Sequence, residues 1–310
     1  MSRFSVLHPP LIAHLNGCDT PVEGETRHVL TSQGTFQQAT ARLEPASSPL
    51  IAVFTDGGLR PLVLEPDQFV LAGEIREDDE SPVLSPTPAR SLTNAHVLAE
   101  PADIEFDEVR SPMREGHAEI AQRFVATARV AVAPTSPGDV NEPTSPLLLS
   151  HLGRRRFVGA LLELVEFLDP ESAVMQRPAF NRTHVGLMLP SQGAAVMLRL
   201  LLNTLGVDTV IVVARRRVAL LAPLSIARVP TVRSQRLREH LSSRGLRSPA
   251  QAPAQPVDVY ALRPISSVRE ESGDDRWVWR LDVAHDHSYT MQGVIIFDRT
   301  RTRNRTRASA

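Results

Sequence analysis

The hydrophobic period of this 310-residue chain changes twice, and that change constrains the fold more than any other feature. Residues 21–75 alternate short apolar runs with Gly and Pro turns, including an Asp-Gly-Gly hairpin signal. Four prolines interrupt residues 132–146, and beyond them apolar residues recur at helical spacing. Strand-like segments return after the linker at 249–256. The pattern predicts a mixed fold, with a β-rich domain interrupted by an α/β insert.

Two helices are predicted in the insert. Residues 151–169 place apolar side chains at helical spacing, with a proline just beyond the end. Residues 191–206 do the same, and Gly206 is a natural stop. We expect strands beside these helices at 183–189 and 207–213.

Composition limits the partners and the compartment. The net charge is −1, which excludes a general attraction to polyanions, yet arginines occur in clusters. A single cysteine, Cys18, excludes a disulfide framework and a Cys-based zinc site, and suits a reducing compartment. Neither a signal peptide nor an apolar run of about 20 residues is present. We therefore expect a soluble cytoplasmic protein with no membrane partner. The arginines that could contact DNA are Arg154, Arg155, Arg156, Arg215, Arg216 and Arg217.

The segment 279–298, WRLDVAHDHSYTMQGVIIFD, resembles the C-terminal motifs of inteins and related Hint domains, which cut and rejoin their own backbone. In that family a strand leads into a His-Ser/Asn-Tyr/Phe turn, then a Gly, then an apolar strand that ends in His-Asn at the scissile bond. This chain has Phe297 and Asp298 in place of His-Asn, and Arg299 in place of the ligating residue. The resemblance implies a Hint-like fold whose last splicing steps are impaired.

The segment 22–34, VEGETRHVLTSQG, is similar to the family's opening strand, which follows a Cys or Ser nucleophile. Counting back places Pro21 at that position, and proline has neither a thiol nor a hydroxyl. Cys18 is the alternative start if the strand carries an insertion.

The segment 62–71, LVLEPDQFVL, is similar to the family's Thr-Pro-Asp-His-Pro-Val-Leu, where Thr and His flank the first scissile peptide. Here those positions hold Glu65 and Gln68. Glutamine can hydrogen-bond a carbonyl but has no pKa near neutrality, so it cannot transfer a proton as histidine does. On its pattern alone the segment reads as a β-hairpin strand.

Two candidate catalytic residues remain. His287 occupies the family's motif histidine, which helps the final cyclisation, although it could instead only hold a turn. Asp298 could cyclise as asparagine does, but it lacks the preceding histidine, and Arg299 offers no nucleophile.

The insert resembles one repeat of the LAGLIDADG homing endonucleases, both in its order of helix, strand, helix, strand and in the phrase LLLNTLGV at 200–207. In that family an acidic residue at the end of the first helix holds the Mg²⁺ that activates water. Alignment puts Val165 at this metal position, which leaves Glu163 and Glu166 as weak metal candidates. Active enzymes need two repeats, and one is recognisable. No cofactor is expected, and Mg²⁺ would be needed only by a surviving endonuclease.

These observations predict that the chain has six segments and that its ancestral activity is lost. The function expected is that of an intein-like element that no longer splices and serves as a binding or structural module, with DNA or a protein assembly as its partner. The alternative is residual peptide cleavage or LAGLIDADG-type DNA cleavage. The segments are a leader (1–20), two Hint-like halves (21–110 and 257–298), an insert (111–248), a linker (249–256) and a basic tail (299–310).

Overall fold

The structure is a computed structural model, and the protein is a β-rich chain of mixed class divided into two compact units. The first unit includes Cys18–Pro101 and Tyr260–Ala310, and the second includes Ala102–Val259. The sequence placed the corresponding boundaries near residues 110 and 257. The residues described below are 5–6, 24, 26–47, 49–55, 61–75, 82–105, 116–129, 146–169, 171–172, 174–176, 183–214, 217–223, 259–272 and 276–297.

The described strands and helices follow one another in an order that returns to the first unit after the second. In chain order they are β1 (Ser5–Val6), β2 (Thr26–Leu30), β3 (Phe36–Pro45), β4 (Leu50–Thr55), β5 (Leu62–Leu64), β6 (Phe69–Glu74), β7 (Ser85–Pro88), β8 (His96–Pro101), α1 (His117–Arg129), α2 (His151–Leu162), β9 (Glu166–Phe167), β10 (His184–Leu189), α3 (Gln192–Asn203), β11 (Val210–Ala214), β12 (Arg217–Pro223), β13 (Tyr260–Glu271), β14 (Arg276–Val283), β15 (Ser288–Met291) and β16 (Val294–Phe297).

The first unit interleaves strands from both ends of the chain. One of its sheets has the order β1-β14-β3-β2. A larger sheet has the order β15-β16-β6-β8-β13-β4-β5, and β7 pairs with β6. Because β14 pairs with β3, and β13 lies between β8 and β4, neither sheet is complete without the strands that follow the second unit.

The strands form where the sequence alternates apolar and polar residues or carries tight turns. Met291 pairs with Val294 across the two-residue turn of Gln292 and Gly293, whose φ angles of 52° and 91° suit the left-handed turns that close hairpins. The core of the unit combines residues from both chain segments: Val29, Val53, Leu64, Val70, Leu98, Ile265, Trp279, Leu281, Tyr289 and Ile296. The segment 62–71 forms two strands, β5 and β6, because a tight turn closes between them at Glu65 and Gln68.

The second unit packs helices with a sheet of order β11-β12-β10-β9, in which every described pair is antiparallel. The helix predicted at 191–206 is confirmed as α3. Its N-cap hydroxyl, Ser191 Oγ, accepts a hydrogen bond from the Ala194 N–H at 3.1 Å, and Gly206 follows its end with a φ of 70°. The strands predicted beside it are confirmed as β10 and, shifted by a few residues, β11.

The prediction of one helix over 151–169 is wrong at its C-terminal end, since α2 stops at Leu162. Pairing with β10 explains the difference: Phe167 lies opposite Leu187, and the Leu168 N–H donates to the Gly186 carbonyl at 2.8 Å. A Cβ at Gly186 would lie 2.5 Å from the Leu168 Cβ, so glycine allows this close approach. Tertiary strand pairing therefore overrides the helical period.

No helix within the described ranges is long and apolar enough to span a membrane.

Candidate functional site

The first unit contains a pocket of about 150 Å³ that is built from both of its chain segments. The segment before the second unit supplies β3 and the turn between β5 and β6, and the segment after it supplies β14, β15 and the end of β16. The lining residues are Arg42, Glu44, Glu65, Gln68, Val278, Trp279, Arg280, Leu281, Asp282, Tyr289 and Phe297.

The turn between β5 and β6 directs Glu65 and Gln68 to this pocket. The Gln68 N–H donates to the Glu65 carbonyl at 3.0 Å, which closes the turn. The Gln68 side chain reaches across the pocket, where its Nε2 donates to the Tyr289 hydroxyl at 2.9 Å. Because the amide nitrogen of Gln68 donates to Tyr289, the carboxamide oxygen is the atom of this side chain that accepts hydrogen bonds.

Glu65 is a buried carboxylate that is hydrogen-bonded by Ser47 and paired with Arg280. It is 2% exposed, and its Oε1 accepts from the backbone N–H of Ser47 at 3.0 Å and from the Ser47 hydroxyl at 2.7 Å. Arg280 Nη2 lies 2.7 Å from Glu65 Oε2, while Arg280 Nε donates to Glu44. Arg280 thus neutralises the buried charge and ties β14 to the turn before β6.

Phe297 ends β16 opposite Phe69 of β6 and closes part of the pocket wall. It stands where the resemblance places the penultimate histidine, and a phenyl ring has no proton to exchange. Glu65, Gln68 and Phe297 therefore meet at one pocket. The other substituted positions, Pro21 and Arg299, lie outside the described residues, and so does Asp298.

His287 lies in the turn before β15, half-buried, with a φ of 54° that is uncommon for a non-glycine residue. It is not among the residues that line the pocket. The neighbouring Asp286 makes long-range contacts from this turn. Its Oδ2 accepts from the Ser32 N–H at 3.1 Å and the Ser32 hydroxyl at 2.7 Å, and its own N–H donates to Gln37 Oε1 at 3.0 Å.

This contact between Ser32 and Asp286 affects a tyrosine as well. The Tyr260 hydroxyl donates to the Ser32 carbonyl at 3.2 Å. Burial, and then the charge of Asp286, raises the pKa of Tyr260 above its usual value. The motif pointed to His287 as the residue of interest in this turn, and the sequence did not predict that Asp286 beside it would contact Ser32.

Trp279 is the pocket residue with an unsatisfied polar group. The side chain is 9% exposed, and its indole Nε1 has no hydrogen-bond partner within the described part of the chain. At the rim, Arg42 lies opposite Arg280 on β3 and is exposed, as is Asp282. The pocket therefore offers a buried donor and a rim with charges of both signs.

The arginine cluster on α2 is only partly available to a ligand. Arg154 is 4% exposed, and its Nη2 donates to the carbonyls of Ile104 at 2.6 Å and Leu147 at 2.7 Å. Burial lowers the pKa of Arg154 to about 10, against the opposing effect of Asp103. Its guanidinium is committed to these backbone contacts, so we withdraw Arg154 as a candidate for phosphate binding.

The other candidate arginines have different placements. Arg155 is half-buried and Arg156 is exposed, and the charge of Arg156 contributes, after burial, to lowering the pKa of His117. Arg215 and Arg216 lie outside the described residues. Arg217 begins β12, and its side chain is not described.

The two weak metal candidates lie on separate elements. Glu163 caps the C-terminus of α2, with its N–H donating to the Ala160 carbonyl at 3.2 Å, and Glu166 begins β9. Both side chains are exposed, and Val165 between them is buried. Throughout the described ranges, no three His, Cys, Asp or Glu side chains are grouped so that they could hold a metal ion.

The sequence matches no protein-family model and no curated protein.

Proposed function

We propose that this protein is an intein-like element, with a Hint-like domain and a LAGLIDADG-like insert, that no longer splices and acts in the cytoplasm as a binding or structural module. The supporting observation is that Glu65, Gln68, Tyr289 and Phe297 line one pocket. Gln68 and Tyr289 are 221 residues apart and joined by a hydrogen bond. These residues belong to the motifs that carry the resemblance. If the similarity of these short motifs were accidental, there would be no reason for their residues to lie at one pocket.

The chemistry of the pocket argues against splicing. Acyl transfer to a side chain needs a nucleophile and a group that donates a proton to the leaving nitrogen. Gln68 does not titrate, Phe297 is apolar, and the Glu65 carboxylate is held by Arg280 and Ser47. At the positions that carry the resemblance, Gln68 and Glu65 keep hydrogen-bonding capacity without the proton transfer that a histidine provides, which suits binding.

The test is an intact mass of the purified chain after long incubation at neutral pH, with and without a thiol and Mg²⁺. We expect the full mass of 34.1 kDa to persist in every condition. Loss of the segment after Asp298, or of the segment before Pro21, would contradict the proposal.

A matched pair of variants would then locate any chemistry observed. Asp298→Ala should abolish cleavage at the end of the last motif, whereas Asp169→Ala, the same change in the second unit, should leave it unaltered. Nicking of supercoiled plasmid in Mg²⁺ that is lost in Glu163→Ala would instead favour the endonuclease alternative.

A further inference from the structure

The pocket of the first unit carries an excess of negative charge. Five of its lining side chains bear a formal charge, three as carboxylates and two as guanidinium groups: Glu44, Glu65, Asp282, Arg42 and Arg280. These formal charges leave one negative charge unbalanced. Because a pocket with low-dielectric walls concentrates the field of its charges, a positively charged ligand is favoured there.

A single guanidinium group serves two of these carboxylates. Arg280 Nε donates to Glu44 Oε2, and Arg280 Nη2 lies 2.7 Å from Glu65 Oε2. One positive charge cannot balance two negative charges, so these three side chains together carry one net negative charge. Glu65 is 2% exposed and already held by Ser47, whereas the Glu44 side chain is 46% exposed. Glu44 is therefore the carboxylate of this group that a second cation can reach.

The pocket also offers hydrogen-bond acceptors from three separate elements. Glu44 uses Oε2 for Arg280, Asp282 is exposed at the rim, and Gln68 has its carboxamide oxygen as the acceptor. A primary ammonium group has three N–H donors and no acceptor, so it matches these three side chains. A carboxylate ligand would instead meet the exposed Arg42, whose charge is screened by solvent, beside an excess of like charges.

The size and the apolar wall of the pocket limit the rest of the ligand. Trp279, Tyr289 and Phe297, each at most 9% exposed, form part of the wall. Aromatic side chains attract organic cations and also pack against alkyl groups. The volume of about 150 Å³ lies below the roughly 300 to 1,000 Å³ of pockets for drug-sized ligands, so the ligand is a short chain.

We propose that this pocket binds a small primary amine, in which one ammonium group is carried on a short apolar chain. The ammonium group donates to Glu44, Asp282 and the carboxamide oxygen of Gln68, and the chain packs against Trp279 and Phe297. Binding balances the excess negative charge of the pocket. The same group occurs on free amines and on lysine side chains. The inference rests on the proposed binding function and names the chemical class of the ligand.

The probe is n-butylammonium chloride, titrated at constant ionic strength into the full chain carrying Trp277→Phe. This change leaves Trp279, which lines the pocket, as the only tryptophan, so its fluorescence reports occupancy. n-Butanol and sodium butyrate match the probe in size but are neutral and negative. We expect saturable binding of n-butylammonium with a Kd of about 1 mM, and binding of both controls at least about 10-fold weaker, because charge-assisted hydrogen bonds are the stronger ones. The proposal is overturned if n-butylammonium gives no saturable change up to about 50 mM, or if either control binds as tightly.

The chain offers a matched pair of glutamate variants. Glu44→Gln removes a pocket charge but keeps an oxygen for Arg280, and should weaken n-butylammonium binding about 3- to 5-fold, the effect of one partly exposed charge. Glu270→Gln makes the same change at an exposed position of β13 that does not line the pocket, and should alter affinity less than about 1.5-fold. An equal loss with the two variants would contradict the assignment.

A third variant covers the case in which Glu44→Gln does not fold. Asp282→Asn changes an exposed side chain and should weaken n-butylammonium binding about 2-fold, and an unchanged affinity would count against the proposal. N-acetyl-lysine methylamide separates the two sources of the amine. Binding tighter than that of n-butylammonium assigns the pocket to a lysine side chain of a partner protein, and weaker binding assigns it to a free amine.

The intact mass of each sample separates failure of this inference from failure of the proposed function. Cleavage of the chain would refute the inactive module whether or not the amine binds. Absence of binding by an uncleaved chain would refute only the assignment of the ligand.

Discussion

Removing the charge of Arg280 should destabilise the first unit strongly. In Arg280→Met the Glu65 carboxylate, 2% exposed, keeps its two hydrogen bonds from Ser47 and loses the ion pair with Arg280. Breaking a buried pair by removing one partner costs about 3 to 5 kcal/mol. The Arg280 side chain is 21% exposed, so solvent replaces part of the lost interaction and we expect about 3 kcal/mol.

The natural control is Arg90→Met. Arg90 pairs with Asp67, and the two side chains are 64% and 65% exposed, so its loss should cost at most about 1 kcal/mol. Urea unfolding monitored by tryptophan fluorescence suits both variants, because both tryptophans of the chain lie on β14 and report on the first unit.

A second variant tests the cause. Glu65→Gln combined with Arg280→Met removes the buried charge while an oxygen remains to accept from Ser47. It should recover at least about 1 kcal/mol relative to Arg280→Met alone. The reasoning is refuted if Arg280→Met costs no more than Arg90→Met, or if the double variant is the less stable of the two.

Two further predictions concern the second unit. Burial and then the charge of Arg156 hold the pKa of His117 below its usual value of 6.5. The folded state therefore binds a proton at His117 less readily than the unfolded state does. The contribution of His117 to stability is complete above pH 6.5 and is lost as the pH falls below that value. Arg156→Gln should raise the pKa of His117 in an NMR titration, and an unchanged or lower pKa would contradict the stated cause. Gly186→Ala should cost about 1 to 3 kcal/mol in unfolding followed by circular dichroism, because the new methyl group meets Leu168 at 2.5 Å, whereas Gly116→Ala, with nothing within 4 Å, should cost less.

The elements with a strong local pattern could be predicted from the sequence. The residues of α3 repeat apolar side chains over three turns between a Ser cap and a Gly stop, so local rules suffice. In α2 the same rules fail after Leu162, because pairing with β10 decides the conformation of Phe167. A helical period cannot reveal a strand partner 20 residues further along the chain.

The residues of the site were harder to predict than the helices, because they meet through the register of strands that are far apart in the sequence. Its motifs drew attention to Glu65 and Gln68, but not to Arg280, which reaches Glu65 only because β14 pairs with β3 in one register. The run of three arginines makes Arg154 a candidate for DNA contact on sequence alone. Arg154 is buried because of the side of α2 on which it lies and because it donates to two backbone carbonyls. A cluster of charges in the sequence predicts neither of these.

The interleaving of β13 and β14 among earlier strands has a consequence for biosynthesis. When β3, β4 and β8 leave the ribosome, the strands that pair with their open edges are not yet made, because Ala102–Val259 must be translated first. At about 5 to 20 residues per second, that delay is roughly 10 to 30 s. The nascent chain must protect several unpaired strand edges for this time, and slower translation of the second unit should increase aggregation.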